Sequence, residues 1–378
     1  MAVDVFNIIS GTLLSGTSGN DTIENYGDKV TISGGNGHDT IENYGDDVTI
    51  SGGSGKDTIH NYLGNNVTIT GGKGNDSINN WYGENVVISG GSGNEEIRNS
   101  EDHVTISGGT GKDTIINYGG DNSPLSGGDG DDAIYNYEGD SVTISGGKGN
   151  NLIYNSGDKV TISGDSGNDS VRNYGDDIII SVGAGNDTIE NYEDSVTISG
   201  GAGKDKIESY GDKVTISGGS GNDTIENYGD DVTISGGKGN DRFELLFYPK
   251  NNLIQYASGD GNDTVDGFDS DDILHITKGS YEVSTKNNDV IVTVGKGKII
   301  LKDAVGEEIS IKNSNGRVTT KTYGSSASEL LAENNFVTAD NLSSITKNDL
   351  TPASLEKISS ANFENLTTEN NLITFAEK

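Results

Sequence analysis

Aspartate residues recur at nearly constant intervals along the first two thirds of this chain, and each one closes a short glycine-rich segment. Residues 33–39, SGGNGHD, form one copy, and the next copy begins at Ser51. Glycine permits the positive φ angles of a tight turn and lets main-chain carbonyl oxygens face inward. The aspartate adds carboxylate oxygens, and an all-oxygen set of ligands suits a hard divalent cation. The spacing therefore predicts a metal-binding turn.

The glycine-rich segment is repeated with a fixed period. Eight intervals between successive copies are 18 residues and four are 19 residues, and the thirteen copies start at Ser15, Ser33, Ser51, Thr70, Ser89, Ser107, Ser126, Ser145, Ser163, Ser181, Ser199, Ser217 and Ser235. Each copy has two halves, of the forms Gly-Gly-x-Gly-x-Asp-Thr-Ile-Glu and Asn-Tyr-Gly-Asp-x-Val-Thr-Ile-Ser. A unit of this size buries its apolar residues only by stacking on its neighbours.

Each half joins a turn to a short β-branched stretch. Val, Thr and Ile favour strands, and alternation by twos directs Ile41, Val48 and Ile50 to one side. Stacked at about 4.8 Å, such coils form two parallel sheets around a thin aliphatic core. The repeat predicts an all-β fold, a right-handed parallel β-roll (β-solenoid) of about 13 coils. We expect a C-terminal antiparallel β cap and a mostly irregular tail to follow it.

The two turns of each copy differ in how much their length varies. All four 19-residue copies place the extra residue in the second turn, whereas the first turn keeps its length. We therefore expect metal at the first turn, where stacked carboxylates would otherwise repel one another. Six to eight oxygen ligands favour calcium over magnesium. The second turn is predicted to be largely free of metal, with an amide ladder and an aromatic column built from Asn25, Asn43 and Asn61 and from Tyr26, Tyr44 and Tyr62.

The nonapeptide Gly-Gly-x-Gly-x-Asp-x-aliphatic-x resembles that of RTX (repeat-in-toxin) calcium-binding proteins, over residues 15 to about 275. The resemblance implies about one Ca²⁺ per 18-residue coil, held between successive turns on one edge. It implies ligands from the Asn36 carbonyl, with Gly34 and Gly37 in the same turn, and from the side chains of Asp21, Asp39, Asp57, Asp76, Asp113, Asp132, Asp169, Asp187, Asp205, Asp223 and Asp241. Weaker positions are expected at the replacements Glu95, Asn151, Asp165 and Val182.

Composition and charge limit the possible partners. The chain has 378 residues, a net charge of -34, 57 glycines and no cysteine. Residues 1–241 hold 39 acidic and 12 basic residues, so the repeats carry most of the excess negative charge. This favours a cation and argues against nucleic acid as a partner. The absence of cysteine excludes disulfides and thiolate metal sites, and no run is long enough to span a membrane.

Beyond the repeats the pattern changes. We expect a lead-in at residues 1–14, the roll at 15–241, a last calcium-type turn and strand cap at 242–323, and a distinct segment at 324–378. The last turn would place Asp263 as a ligand, although the acidic cluster after it also suits a solvated loop. Residues 281–312 alternate like antiparallel strands. Residues 324–378, with a short helical signal at 326–333, resemble the uncleaved export segment of type I secreted RTX proteins, or form a disordered tail.

No set of residues suggests catalysis. The four histidines, His38, His60, His103 and His275, are scattered, and no His-Glu-x-x-His motif occurs. The run TGKD at residues 110–113 lacks the Ser or Thr that a phosphate loop requires after lysine. We therefore expect no enzymatic activity within this sequence.

Three functional classes remain open at this stage. The first is a secreted, calcium-folded scaffold, with a structural, surface or adhesion role, a cell-surface or matrix partner, and the type I secretion apparatus as its export partner. The second is the C-terminal repeat and export region of a larger RTX toxin or secreted enzyme. The third is an ice-binding solenoid, because threonines recur on the outer surface at Thr31, Thr49, Thr68, Thr105, Thr143, Thr161, Thr197, Thr215 and Thr233, although Val87 and Ile179 interrupt them.

Overall fold

The computed structural model describes residues 2–324 and the strands Leu366–Glu369 and Leu372–Phe375. The chain divides into two compact units, Met1–Leu253 and Ile254–Lys378. The described residues form strands and turns without a helix, and so contain no helix that could span a membrane. The prediction of an all-β parallel solenoid is confirmed, with about 15 turns in place of the 13 predicted.

The first unit is a ladder of short strands. In chain order these are β1 (Asp4–Asn7), β2 (Leu13–Ser15), β3 (Thr22–Asn25), β4 (Thr31–Asn36), β5 (Thr40–Asn43), β6 (Thr49–Ser54), β7 (Thr58–Asn61), β8 (Thr68–Lys73), β9 (Ser77–Asn80), β10 (Val87–Ser92), β11 (Glu96–Asn99), β12 (Thr105–Thr110), β13 (Thr114–Asn117), β14 (Leu125–Asp129), β15 (Ala133–Asn136), β16 (Thr143–Lys148), β17 (Leu152–Asn155), β18 (Thr161–Ser166), β19 (Ser170–Asn173), β20 (Ile179–Ser181), β21 (Thr188–Asn191), β22 (Thr197–Ala202), β23 (Lys206–Ser209), β24 (Thr215–Ser220), β25 (Thr224–Asn227), β26 (Thr233–Lys238) and β27 (Arg242–Leu245).

These strands pair in parallel, each with its counterpart one coil away. The odd-numbered strands form the first sheet, in which Ile23 pairs with Ile41 and Ile41 with Ile59. The even-numbered strands β2 to β26 form the second sheet, in which Ile32 pairs with Ile50. Since the register repeats the sequence period, every coil buries the same positions, and these isoleucines are at most 1% exposed. The aliphatic core therefore runs along the ladder as one continuous column.

Two features of the ladder were not anticipated. The lead-in at residues 1–14 contains β1 and β2, which pair with β3 and β4 in the common register. In addition, β4 and most of its counterparts continue through both glycine positions of the motif, so that Gly35 pairs with Gly53. A Cβ at Gly35 would collide with the carbonyl oxygen of Thr17, and its φ is +109°. Glycine is required here because the main chains of successive coils approach closely.

The second unit contains shorter ladders and antiparallel hairpins. Its strands are β28 (Leu253–Ala257, which begins one residue earlier), β29 (Asn262–Asp266), β30 (Ile273–Lys278), β31 (Tyr281–Lys286), β32 (Asp289–Val294), β33 (Gly297–Leu301), β34 (Glu308–Lys312), β35 (Val318–Thr322), β36 (Leu366–Glu369) and β37 (Leu372–Phe375). The antiparallel pairs β31–β32, β32–β33 and β34–β35 confirm the strands predicted over residues 281–312. The helical signal at 326–333 lies outside the described residues.

Candidate metal centre

The aspartates of the glycine-rich turns form a single buried column. Each lies immediately before a strand of the first sheet, so the sheet register stacks them one coil apart. Asp39 and Asp57 are at most 1% exposed, although they carry ionisable side chains. The Oδ1 atom of Asp57 accepts a 2.9 Å hydrogen bond from the main-chain N–H of Asp39. The same bond recurs along the column, for example from Asp187 to Asp205 and from Asp205 to Asp223.

The second carboxylate oxygen behaves differently. The Oδ2 atom is buried and has no hydrogen-bond partner in Asp39, Asp57, Asp76, Asp113, Asp132, Asp169, Asp187, Asp205 and Asp223. Removing a carboxylate from water without a partner is unfavourable, so burial raises the pKa of Asp39, Asp57, Asp76, Asp132, Asp169, Asp187, Asp205 and Asp223. Burial is the largest cause of the pKa of about 6 in Asp57, Asp132, Asp169, Asp205 and Asp223. A cation beside them, or a proton on the carboxyl group, would satisfy these buried oxygens.

The first glycine of each motif borders this oxygen. A Cβ placed on Gly52 would lie 2.5 Å from Asp57 Oδ2 and 2.7 Å from the carbonyl oxygen of Gly71, one coil further along. A Cβ on Gly34 would likewise lie 2.5 Å from Asp39 Oδ2 and 2.5 Å from the Gly52 carbonyl oxygen. A carboxylate oxygen and a carbonyl oxygen of the next coil thus converge beside each glycine. We refer to this space as the glycine cradle.

The donor set of the cradle fits calcium. Among the described residues, no three His, Asp or Glu side chains come together as a metal site, so further ligands to a cation here would be main-chain carbonyls, side-chain amides or water. Such oxygen-rich, flexible coordination suits Ca²⁺ better than Mg²⁺. The turn carbonyls also take part in the ladder, since Gly37 N–H donates to the Ser54 carbonyl oxygen at 2.9 Å. A carbonyl oxygen has two lone pairs and so retains the capacity to ligate a cation.

The predicted ligands Asn36, Gly34 and Gly37 all lie in this turn. Asn36 ends β4, and its N–H donates to the Thr17 carbonyl oxygen at 3.1 Å. Gly37 has φ of +127°, and a Cβ there would collide with the Gly19 carbonyl oxygen. These positions shape the turn, and their carbonyl oxygens as ligands stay a prediction.

Asp21, in the first copy, has a different environment. Its Oδ1 accepts the Val3 N–H at 2.6 Å and its Oδ2 accepts the Thr17 N–H at 2.5 Å. The hydrogen bond from the Thr17 main chain is the largest of the effects that lower the pKa of Asp21. Both oxygens therefore already accept protein hydrogen bonds. Asp21 is the predicted ligand with the least need of a cation.

Two copies replace the aspartate itself. Glu95 is 2% exposed, and both of its carboxylate oxygens are buried without a hydrogen-bond partner. Burial is the main reason that the pKa of Glu95 rises to about 8. Asn151 is also 2% exposed, but its amide is hydrogen bonded on both sides. Glu95 thus keeps an ionisable carboxyl group in the column, whereas Asn151 removes one.

Two further predicted ligands lie at or beyond the end of the regular copies. Asp241 Oδ1 accepts the Asp223 N–H at 2.9 Å, as in the rest of the column. In the second unit, Asp263 lies in β29 and is 1% exposed. The adjacent loop is held by its own carboxylates, since Asp260 Oδ2 accepts the Ala257 N–H at 2.6 Å and Asp272 Oδ2 accepts the Asp269 N–H at 3.1 Å. A calcium ion at Asp263 stays a prediction.

The opposite edge of the roll is held together by amides. Asn25 Nδ2 donates to Asn43 Oδ1 at 2.8 Å and to the Gly27 carbonyl oxygen at 2.8 Å, and the pattern is repeated from coil to coil. It extends from Asn7 to Asn191, and Ser209 then takes the place of asparagine. The predicted amide ladder is therefore confirmed. Because these amides are neutral and satisfied, this edge has no unpaired charge of the kind found in the aspartate column.

An aromatic column runs beside the amide ladder, as predicted. The rings of Tyr26 and Tyr44 stack with centroids 4.5 Å apart, and Tyr44 and Tyr62 follow at 5.0 Å. A second run extends from Tyr174 through Tyr192 and Tyr210 to Tyr228. A third column, of exposed carboxylates, was not predicted. In it, Asp28 Oδ1 accepts the Asp46 N–H at 3.0 Å, and the recurring Gly-Asp dipeptide is its signal in the sequence.

Comparisons with known proteins agree with this geometry. The family model of the RTX calcium-binding nonapeptide repeat (4 copies) matches residues 15–46, 33–67, 68–79, 89–124, 143–171, 181–216, 199–231, 217–245 and 257–279. No curated protein matches the sequence.

Two solved structures are similar. One is a hyperactive, Ca²⁺-dependent, β-helical antifreeze protein from an Antarctic bacterium, with 22% identity and a TM-score of 0.49, covering 85% of this chain and 95% of that chain. The other is the extracellular lipase LipA from Serratia marcescens, with 18% identity and a TM-score of 0.25, covering 56% of this chain and 38% of that chain.

Proposed function

Because the chain belongs to the family of RTX calcium-binding nonapeptide repeats, we propose that it is a secreted protein whose roll folds on binding extracellular calcium and then serves as a structural, surface or adhesion scaffold. The observation that carries this proposal is the column of buried Oδ2 atoms without partners. Calcium supplies the positive charge that this column lacks. The residues proposed to hold it are the column aspartates and the carbonyls beside the glycine cradles.

Coupling between calcium and folding follows from the burial of these carboxylates. In the unfolded chain they are solvated and separated, whereas the folded roll stacks them one coil apart. A ligand that binds only the folded state adds about 2.7 kcal/mol per site at a hundredfold excess over Kd. Several sites acting together shift the folding equilibrium steeply with calcium concentration. A chain unfolded in a calcium-poor cytoplasm and folded outside suits export by a type I apparatus, for which residues 324–378 are the proposed signal.

A scaffold role is supported by the contacts of two outward-facing histidines, which lie within the repeat structure. His38 Nδ1 accepts the Lys56 N–H at 2.8 Å, and His60 stacks on Tyr62. These two histidines therefore serve the ladder. We propose that the chain has no catalytic function of its own, and that its repeated surfaces contact a cell-surface or matrix partner.

The proposal is tested by circular dichroism of the purified full chain in chelator, with added Ca²⁺, and with added Mg²⁺ as the control. We expect a cooperative transition from coil to β-structure with Ca²⁺ alone. Full β-structure in chelator would overturn the calcium-folding proposal. Export is tested separately, by expressing the chain with and without residues 324–378 alongside a type I apparatus and measuring the protein in the medium.

Ice binding is a second candidate, and one outer face favours it. Thr31, Thr49 and Thr68 are exposed and in register on the second sheet, and Ser33 and Ser51 form a parallel row beside them. These rows present hydroxyl groups at a spacing of about 4.8 Å from coil to coil. Thermal hysteresis measures this activity directly. Its absence in the calcium-loaded chain would remove this candidate and leave the scaffold proposal unaffected.

A further inference from the structure

Three consecutive copies of the repeat depart from the glycine-aspartate pattern. The copy that begins at Ser145 carries Asn151 in place of aspartate. The next has Asp165 in place of the second glycine, and the one after has Val182 in place of the first. Elsewhere the departures, Thr17 and Glu95, stand in isolated copies. Residues 145–187 therefore form a stretch in which the cradle has a different chemistry.

Asn151 places a hydrogen-bond donor at the cradle. Its Oδ1 accepts the Asp132 N–H at 3.0 Å, as the aspartates do for their neighbours. Its Nδ2 takes the position of the unpartnered oxygen, since a Cβ on Gly146 would lie 2.7 Å from it. This nitrogen donates to the Gly149 carbonyl oxygen at 3.3 Å. A nitrogen that carries two hydrogens cannot ligate a cation.

The orientation of the Asn151 amide is fixed by the ladder. Turning the amide over would direct its NH₂ group at the Asp132 N–H, which is also a donor. The contact would then place two buried donors against each other and leave the main-chain group unsatisfied, at a cost of about 1–3 kcal/mol. The hydrogen-bonding demand of the ladder therefore keeps the nitrogen on the cradle side.

Val182 fills a cradle with a side chain. Ser181 pairs in register with Ser163 and Ser199, so Val182 stands at the position of Gly164 and Gly200. A Cβ on either glycine would lie 2.5 or 2.6 Å from the Oδ2 atom of that coil's aspartate. Val182 brings a Cβ and two methyl groups to this position and is completely buried. The strand also changes, because β20 ends at Ser181 where its neighbours β18 and β22 span six residues.

Asp165 supplies a contact that needs no metal. It lies outside the column and has a φ of +71°, the left-handed conformation that glycine adopts more easily. Its Oδ2 accepts the Ser145 hydroxyl at 2.6 Å and its Oδ1 accepts the Ser163 hydroxyl at 2.6 Å. The carboxylate thus connects the outer surfaces of two successive coils across the stretch where the cradles are altered.

We propose that the cradles of the Asn151 and Val182 copies hold no calcium, so that the calcium column is interrupted between residues 145 and 187. This inference rests on the proposed function, since it requires that the regular cradles bind calcium. The coils on either side are joined through this stretch by the ladder bonds, the core and the Asp165 contacts. The roll therefore has fewer calcium ions than coils, and the missing positions are identified by sequence.

The test restores the glycine-aspartate pattern by substitution and counts the calcium ions bound per chain. Asn151→Asp converts the donor nitrogen into an oxygen while keeping the Oδ1 acceptor, and Val182→Gly reopens the cradle. Asn150→Asp is the matched control, because it makes the same change of charge at the adjacent, exposed residue. Calcium bound per chain is measured by equilibrium dialysis and by native mass spectrometry of the full chain. We expect about one additional ion for Asn151→Asp, about one for Val182→Gly, and no change for Asn150→Asp.

The outcomes separate this inference from the proposed function. A wild-type chain that binds calcium, together with unchanged counts in both restored variants, would overturn the interruption alone. A wild-type chain that binds no calcium would overturn the proposed function. If Val182→Gly fails to fold, Asn151→Asp still decides the matter, because the two side chains have almost the same shape.

Discussion

The main-chain N–H of Asp39 donates a 2.9 Å hydrogen bond to Oδ1 of Asp57, the equivalent residue one coil further along. One carboxylate oxygen therefore holds the stack together, while the other, Oδ2, is buried without a partner. The same side chain stabilises the ladder through one atom and destabilises it through the other. Under the proposed function, a bound calcium ion makes the contribution of Oδ2 favourable, and substitution of the aspartate tests this.

Asp57→Asn is the most direct test, because it retains the acceptor of the ladder and removes the charge. At the lowest calcium concentration that supports folding, we expect the variant to be more stable than the wild type by about 1–3 kcal/mol, since the unpartnered carboxylate oxygen at this position is removed. In saturating calcium we expect it to be less stable by about 2–3 kcal/mol, through the loss of one site. Urea unfolding in both conditions measures the two effects. Asp47→Asn, at an exposed residue, is the control and should change neither value.

A change in unfolding free energy of the same sign in both conditions would contradict this account of Asp57→Asn. Greater stability at both the lowest and the saturating calcium concentration would mean that Asp57 does not hold the ion. Lower stability in both would mean that the unpartnered oxygen has little cost.

Glu95→Asp should stabilise the column of buried acidic residues, in which Glu95 has the longest side chain. Both carboxylate oxygens of Glu95 lack partners, whereas an aspartate at this position would offer Oδ1 to the ladder. We expect calcium-loaded Glu95→Asp to gain about 1 kcal/mol of unfolding free energy, the value of one hydrogen bond. Glu96→Asp, at the neighbouring half-buried residue, is the control. Lower stability of Glu95→Asp would show instead that the longer side chain is fitted to its calcium ion.

The sequence predicted the periodic features well and the local ones poorly. The isoleucine core, the Asn25–Asn43 amide ladder and the Tyr26–Tyr44 stack follow from the period, because every copy presents the same residue at the same place. The partners of Asp21 could not be read from the pattern, since they depend on where the Val3 and Thr17 main chains lie. The replacement of a motif glycine by Val182 was evident in the sequence, but its complete burial depends on how the neighbouring coils pack around it.

Alkaline pH should unfold the roll through its tyrosine column. Burial is the main cause that raises the pKa of Tyr44 and Tyr210 to about 12, and the hydrogen bond to Glu190 does the same for Tyr192. A folded-state pKa above the ordinary tyrosine value of 10.0 means that the folded form favours the neutral phenol. Stability is therefore fully present below pH 10 and is lost as the pH rises towards 12.

The ultraviolet absorbance of tyrosinate and circular dichroism, recorded together in calcium, measure this dependence. We expect these phenols to ionise at a higher pH in the folded chain than in urea, and β-structure to be lost as they ionise. Tyrosinate formation near pH 10 without loss of structure would contradict the prediction.

Ser209 marks a gap in the amide ladder, and closing the gap should stabilise the folded roll at low as well as at saturating calcium. Ser209 pairs with Asn191 and Asn227 in the first sheet, and its buried hydroxyl has no hydrogen-bond partner. We expect Ser209→Asn to add about 1 kcal/mol of unfolding free energy, because an asparagine there continues the amide chain on both sides. The converse variant, Asn117→Ser, opens an equivalent gap and should cost about 1–3 kcal/mol. Urea unfolding at saturating calcium and at the lowest calcium that supports folding measures the stability of both variants. The amide edge lies opposite the carboxylate column, so we expect the same gain in both conditions. A Ser209→Asn gain confined to saturating calcium would show instead that the two edges are coupled.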